Sequence, residues 1–325
     1  MADQEPTGKT RVAVVGVGTF GKQHARVLSN LPGAKLIAVV DTAEDQARSV
    51  AQEYGCQAFT DHRELEGKVD AAVIAVPTLH HAAVGAGLLR AGIDLLVEKP
   101  IAPDLASADA LIAAARENNR ILQIGHLERF NPIVEEVKGV ATLPLFFEIH
   151  RMSIFSPRCL DVDVVLDLMI HDLDIVLDLV DSPLERFEAT GIPVLSQKAD
   201  IASVRLIFEN GCVANLTASR VSTEKIRKLR FFQPRQYISI DYTRQDGYVS
   251  GVDAAFQLSY RPLKAVKGEP LARQAEAFLR AAATRQRPRV SGEDGRAALA
   301  VGLRIIEEME RHTRVVAKTL APPKT

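Results

Sequence analysis

The chain has 325 residues, with 40 Lys and Arg against 41 Asp and Glu, for a formal charge of −1 at pH 7. That length predicts two domains, each able to bury a core without metal or disulfide staples, and the even charge balance argues against a generic binder of nucleic acid or anionic membrane. Cys56, Cys159 and Cys212 are isolated thiols without zinc or disulfide spacing, residues 1–10 hold no apolar signal core, and no run approaches the ~18 apolar residues of a membrane span, so a cytoplasmic protein is expected.

Up to residue 125 short β-branched runs alternate with longer helical stretches, which predicts an α/β fold with a doubly wound parallel sheet. Compact apolar strands are expected over 11–15, 35–40, 71–76, 94–97 and 120–124, with helices over 19–31, 43–54, 79–91 and 105–118. Gly33, Gly55 and Gly92 follow three of those helices as stop signals. Beyond 125 the pattern changes to α+β on a large, mostly antiparallel open sheet. Runs 201–208 and 212–219 flank Asn210-Gly211, the signature of a two-residue hairpin turn. Further strands are expected at 145–151, 227–233, 237–242 and 254–260, a main helix over 164–180, and closing helices over 271–283 and 295–312. The last of these is introduced by a capping box of Ser291 and Asp294. The expected domains are 1–125 for a dinucleotide and 126–325 for substrate and oligomer contacts.

Gly16-Val17-Gly18-Thr19-Phe20-Gly21 follows the first strand and opens a helix at Thr19 and Phe20, and Asp41 stands twenty residues after Gly21 at the end of the second strand. That arrangement is the dinucleotide fingerprint. Gly16 permits the tight turn, Gly18 the approach of backbone amides to a pyrophosphate, and Gly21 the close packing of helix on strand, while the helix N-terminus favours anions. The Asp41 carboxylate accepts from the ribose hydroxyls of NAD and repels a 2′-phosphate, with Arg48 the nearest candidate to offset that repulsion. As an alternative, Asp41 caps the next helix, which is compatible with reading a ribose.

Glu98-Lys99-Pro100 closes the strand over 94–97, at the carboxyl edge where ligands of such sheets bind. There the Lys99 ammonium can hold a substrate oxygen, or merely pair with Glu98 at the surface. Asp167 and His171 lie four residues apart on one helix face, which suits a carboxylate-held base for a hydroxyl proton; the alternative is a satisfied core or surface histidine on an ordinary polar helix face that includes Asp172 and Asp174. The loop Gly125 to Pro132 contains His126, Arg129 and Asn131, placed either for substrate or to cap the following helix. His150, Arg151 and Arg158 offer cations for a diphosphate, or solvated surface charge. His80 and His81 are adjacent and cannot converge on a metal, so no metal site is expected.

The glycine fingerprint, Asp41, Pro77 with His81, Glu98-Lys99-Pro100 and Asp167 to His171, in that order, resemble the glucose-fructose oxidoreductase and inositol dehydrogenase (Gfo/Idh/MocA) family over nearly the whole chain. That resemblance implies a Rossmann domain binding NAD through Gly16, Gly18, Thr19, Phe20, Gly21, Asp41, Pro77, His81, Glu98 and Lys99. It also implies a catalytic set of Lys99, Asp167 and His171, and a homodimer or homotetramer formed through the C-terminal sheet. Thr78 departs from the asparagine many relatives have after the proline. Residues 125–132, 161–172 and Thr217 to Arg220 are similar to a narrower subgroup, the UDP-N-acetylglucosamine 3-dehydrogenases of lipid A biosynthesis. This implies a nucleotide-sugar substrate met by His126, Arg129, Asn131, Arg151, Arg158 and His171, and a functional link to an aminotransferase. Dehydrogenases of other nucleotide sugars, free sugars or inositols, and NAD-dependent glycosidases of the same family, are the alternatives; a catalytically silent NAD-binding regulator is disfavoured by the presence of Lys99, Asp167 and His171.

Overall fold

The computed structural model of the chain describes residues 8–155, 162–253 and 255–320. They divide into two compact units, one of residues up to 130 with 269–299, the other of 131–268 with those from 300 on.

The first unit is a six-stranded parallel sheet of β1 (Thr10–Val15), β2 (Ala34–Val40), β3 (Gln57–Phe59), β4 (Ala71–Ile74), β5 (Asp94–Glu98) and β6 (Leu122–Gly125). Its spatial order is β3-β2-β1-β4-β5-β6, and the order reverses direction between β1 and β4, so a ligand crevice opens at the carboxyl ends of those two strands. All of β4 is buried, as are Leu95, Leu96 and Val97 of β5, which is why these runs read as continuously apolar. Helices α1 (Thr19–Asn30), α2 (Glu44–Tyr54), α3 (His81–Arg90) and α4 (Leu105–Glu117) connect the strands. Asp104 caps α4 by accepting from Ser107 N at 2.8 Å.

The domain division differs from the one expected at 125. Helix α7 (Pro270–Thr284) brings Ala275, Phe278 and Leu279 into the same core as Val12, Val14, Ala25 and Leu28, so the segment 269–299 completes the first unit. The expected capping box is present at the start of α8 (Gly292–Leu320), where Ser291 N donates to Asp294 Oδ2 at 2.8 Å and Asp294 N donates to Ser291 Oγ at 3.3 Å.

The second unit begins with α5 (Pro132–Val140) and holds an eight-stranded sheet in the order β14-β13-β12-β11-β7-β10-β9-β8. Its strands are β7 (Phe146–Ile154), β8 (Leu184–Ile192), β9 (Ile201–Phe208), β10 (Val213–Ser222), β11 (Ile226–Gln233), β12 (Gln236–Asp241), β13 (Asp246–Val252) and β14 (Leu258–Leu263). Within this sheet, among the described residues, only β7 and β10 pair in parallel. One face buries Phe147, Ile149, Val204, Leu206, Leu216 and Phe231 with Val165, Met169, Leu173, Val301 and Ile305. The other carries a cross-strand aromatic row, Phe146, Phe232, Tyr237, Tyr248 and Tyr260, with successive ring centroids 5.8, 4.9, 5.8 and 5.1 Å apart.

Three expectations are corrected here. The β9–β10 connection is a three-residue loop rather than a two-residue one: Phe208 N donates to Cys212 O at 2.9 Å, and Gly211, at φ 84°, takes the left-handed position. The strand expected over 254–260 is β14, shifted toward the C-terminus, with residue 254 outside the described residues. The helix expected over 164–180 is interrupted. Residues Val165–Met169 form a π turn, with Ile170 N–H donating to Val165 O five residues back, before α6 (Ile170–Val180) continues.

Candidate active site

The turn between β1 and α1 is shaped by backbone proximity. A Cβ at Gly16, whose φ is 84°, would lie 2.7 Å from Ala75 O, and one at Gly21 would lie 1.8 Å from Gly16 O. No larger residue fits either place. Gly16, Val17 and Gly21 are buried while Gly18, Thr19 and Phe20 are exposed, and α1 has no side-chain cap, so its leading N–H groups are left for an anion. Asp41 closes the turn from the side: its Oδ2 accepts from Val17 N at 2.8 Å and its Oδ1 from Ala43 N at 3.0 Å. Gln46 Nε2 donates to Val17 O at 2.7 Å, a contact that no sequence motif announces. Arg48 is paired with Glu44 on the exposed face of α2 and so does not answer Asp41.

Around β4 and β5 the expected positions separate by burial. Pro77 is exposed and precedes a short turn, Thr78–His80. His81 is 1% exposed and its two ring nitrogens face Pro100 O at 3.0 Å and Val76 O at 2.9 Å. The family resemblance places it among the cofactor contacts; its ring ties the end of β4 to the segment after Lys99. Burial holds its pKa below the usual histidine value, against the opposing pull of those carbonyls. Lys99 is half-buried directly after β5. The Glu98 carboxyl is pushed up by burial, but the hydrogen bond from His24 and nearby positive charge, that of Lys99 included, outweigh this and hold it below the usual range. His24 Nε2 stands 2.7 Å from Glu98 Oε1 with its ring fully buried. Its position three residues after Gly21, on the buried face of α1, was the only signal available in the sequence.

In the loop after β6, His126 and Arg129 are 1% and 3% exposed. Asn131, expected to touch substrate, caps α5 by accepting from Ile133 N at 3.3 Å while donating to Tyr242 O at 3.0 Å.

In the second unit, Asp167 lies within the π turn and His171 on the first turn of α6, both half-buried. The spacing of four that placed them on one α-helical face therefore spans a widened turn, a feature common at functional sites. Asp163 anchors it, accepting from Val165 N on Oδ1 and from Asp167 N on its carbonyl oxygen, each at 2.9 Å. Burial raises the Asp163 pKa.

Arg151 is not a free cation for a diphosphate. With 1% exposure it sets Nε and Nη2 against Asp172 Oδ2 and Oδ1 at 2.7 and 2.8 Å, and its guanidinium lies 5.2 Å from the Tyr242 ring centre. The period-two alternation of β7 turns Arg151 inward with Phe147 and Ile149, whereas His150 faces the other way. Arg158 lies outside the described residues. Arg220 is likewise internal, donating from Nε to Asp200 Oδ1 at 2.8 Å. Asp200 also accepts backbone N–H groups from Val194, Leu195 and Ser196, and together these hold its carboxyl well below the usual range despite burial. Among the described residues no group of His, Cys, Asp and Glu is placed to hold a metal ion, and no helix is long and apolar enough to cross a membrane.

A helix N-terminus with this glycine geometry accepts phosphates of many kinds, but Asp41 at the adjacent strand end suits a ligand with a free ribose beside the pyrophosphate, which defines an NAD-binding Rossmann oxidoreductase. The NAD-binding Rossmann domain of the GFO/IDH/MocA oxidoreductases matches residues 10–126, and the C-terminal domain of the same group matches 153–239. The UDP-N-acetylglucosamine 3-dehydrogenase of Acidithiobacillus ferrooxidans is 37% identical over 91% of this chain and 96% of its own length. Its solved structure superposes with a TM-score of 0.88, at 35% identity, covering 93% of this chain and 98% of that one. The inositol 2-dehydrogenase of Rhizobium meliloti is 29% identical over 90% of this chain and 94% of its own. A levoglucosan dehydrogenase solved with NADH and levoglucosan, 18% identical, shares the fold with a TM-score of 0.84, covering 93% of this chain and 98% of that one. The chain belongs to the GFO/IDH/MocA oxidoreductase family, and NAD is its cofactor.

Proposed function

We propose that this oxidoreductase removes hydride from the 3-hydroxyl carbon of UDP-N-acetylglucosamine, giving the 3-keto sugar, NADH and a proton. The observation that carries this reading is the 37% identity to a UDP-N-acetylglucosamine 3-dehydrogenase along nearly the full length of both chains. Bound NAD supplies the hydride acceptor. The N–H groups of Gly18 to Gly21 hold its pyrophosphate, and Asp41 accepts from the ribose and excludes a 2′-phosphate. Lys99 holds the reacting oxygen, His171 takes the hydroxyl proton, and Asp167 orients the imidazole. With Arg151 committed to Asp172, His150 and Arg158 remain from that cluster as candidates for the sugar's diphosphate.

A 3-keto sugar is the substrate an aminotransferase needs to install an amine, which fits a step of lipid A biosynthesis in the cytoplasm. The aromatic row on the open face of the second unit's sheet suits a homodimer or homotetramer. Oxidation of a hydroxyl by NAD is uphill at neutral pH, so the test couples the reaction to an aminotransferase and amino donor. NADH formation is expected to be far faster with UDP-N-acetylglucosamine than with inositol, free N-acetylglucosamine or other nucleotide sugars. Equal or faster rates with inositol overturn the nucleotide-sugar reading.

A further inference from the structure

The hydrogen-bonded pair His24 and Glu98 is spare to the chemistry proposed above, yet it is built with care. His24 lies on α1, the helix that opens at the glycine turn, and its ring is buried, as are Gly21, Ala25, Val27 and Leu28 of the same helix. Its Nε2 is 2.7 Å from Glu98 Oε1, whereas its Nδ1 is buried with no hydrogen-bond partner among the described residues. A carboxylate only accepts, so His24 donates to it from Nε2.

Glu98 is constrained from two further directions. Its Oε2 accepts from Lys99 N at 3.3 Å. It also lies flat against Gly125, its partner in the β5–β6 register, where an added Cβ would stand 3.0 Å from Oε2 and 3.1 Å from Cδ. The carboxylate is thereby caught between a helix, a neighbouring strand and the main chain of the residue that follows it. Three elements of the first unit converge on one acid, and that acid immediately precedes Lys99.

We propose that His24 is a positioning residue for hydride transfer: by donating to Glu98 it fixes the carboxylate that holds the Lys99 main chain, and so ties the dinucleotide helix to the strand end carrying Lys99. The inference rests on the role given to Lys99 above. A leucine at position 24 fills similar space without the donor, and a glutamine restores an N–H near the place of Nε2. His24→Leu should lower kcat about 10- to 100-fold, the cost expected for one lost hydrogen bond to a charged group, while NAD affinity and the KM for the sugar stay near those of the parent. His24→Gln should recover most of the loss. Because His24 acts through Glu98, the double variant His24→Leu/Glu98→Gln should lose no more than the worse single variant.

Lys99→Ala, measured alongside, separates the two layers. If Lys99→Ala turns over normally, the role of Lys99 fails and the positioning role with it. If Lys99→Ala is inactive while His24→Leu keeps the parent kcat, or if the His24 and Glu98 losses multiply, the positioning role alone is overturned. Should His24→Leu fail to fold, the comparison is made with His24→Gln and Glu98→Gln: the first close to the parent and the second impaired in kcat supports the proposal, and the reverse order contradicts it.

Discussion

Arg151 offers the sharpest contrast between what a charge pattern suggests and what the fold does with it. Its guanidinium grips Asp172 through two contacts of 2.7 and 2.8 Å, and both side chains are no more than 2% exposed. Arg151→Met keeps the apolar stem and removes the fork, leaving the Asp172 carboxylate with its principal countercharge gone inside the second unit's core. Breaking a buried pair in this way costs about 3 to 5 kcal/mol, which for a unit of this size corresponds to a fall in Tm of roughly 6 to 20 °C. Arg151→Lys should lie between, because an ammonium keeps the charge but not the planar fork. Removing both charges in Arg151→Met/Asp172→Leu should return most of the lost stability, since apolar replacement of a buried pair is often near neutral. Thermal melts of the variants, paired with KM for the nucleotide sugar, make the assay. A variant with unchanged Tm and a KM raised tenfold or more would refute the structural role and restore Arg151 as a diphosphate ligand.

The remaining predictions concern the cofactor turn, the reacting groups and pH. Asp41→Ser should narrow the preference for NAD over NADP, because a 2′-phosphate about 4 Å from the carboxylate is opposed by a few kcal/mol at an effective dielectric near 20. It should also weaken NAD itself, since Asp41 accepts from Val17 N and Ala43 N; titration of both dinucleotides checks this, and an unchanged ratio contradicts it. Lys99→Ala and His171→Ala should each cost ~10²- to 10⁴-fold in turnover with little change in NAD affinity, and near-parent turnover in either removes that residue from the chemistry. His81 keeps a lowered pKa when folded, so the unfolded chain takes up a proton near pH 6.5 before the native protein does. Stability from this group is therefore full above that pH and lost as pH falls through the folded value. Tm should drop more steeply between pH 7 and 5 for the parent than for His81→Gln, and equal slopes would contradict it.

Legibility followed the range of the interactions. The cradle is a local motif, so Gly16, Gly21 and Asp41 stand where the glycine spacing placed them. The buried parallel strands announced themselves because both of their faces are covered. Strand β3 has three residues, β13 carries two glycines and β8 is studded with charge, so none produced a period to read. His24 and Glu98 lie 74 residues apart, and nothing local in either says that they meet. The return of α7 to the first unit is equally long-range. Arg151 was within reach, for the alternation of Phe147, Ile149 and Arg151 along β7 already assigns it to the inner face. The π turn under Asp167 shows only in the backbone hydrogen bonds.

Hydride transfer from carbon 3 of the sugar is the central claim, and an isotope follows it directly. UDP-N-acetylglucosamine carrying deuterium at C3 is incubated with NAD, the protein and an aminotransferase with its amino donor, and the reduced dinucleotide is examined by mass spectrometry. NADH one mass unit heavier than that from unlabelled sugar is the predicted result; NADH formed without deuterium, or no NADH while inositol yields it, would contradict the claim.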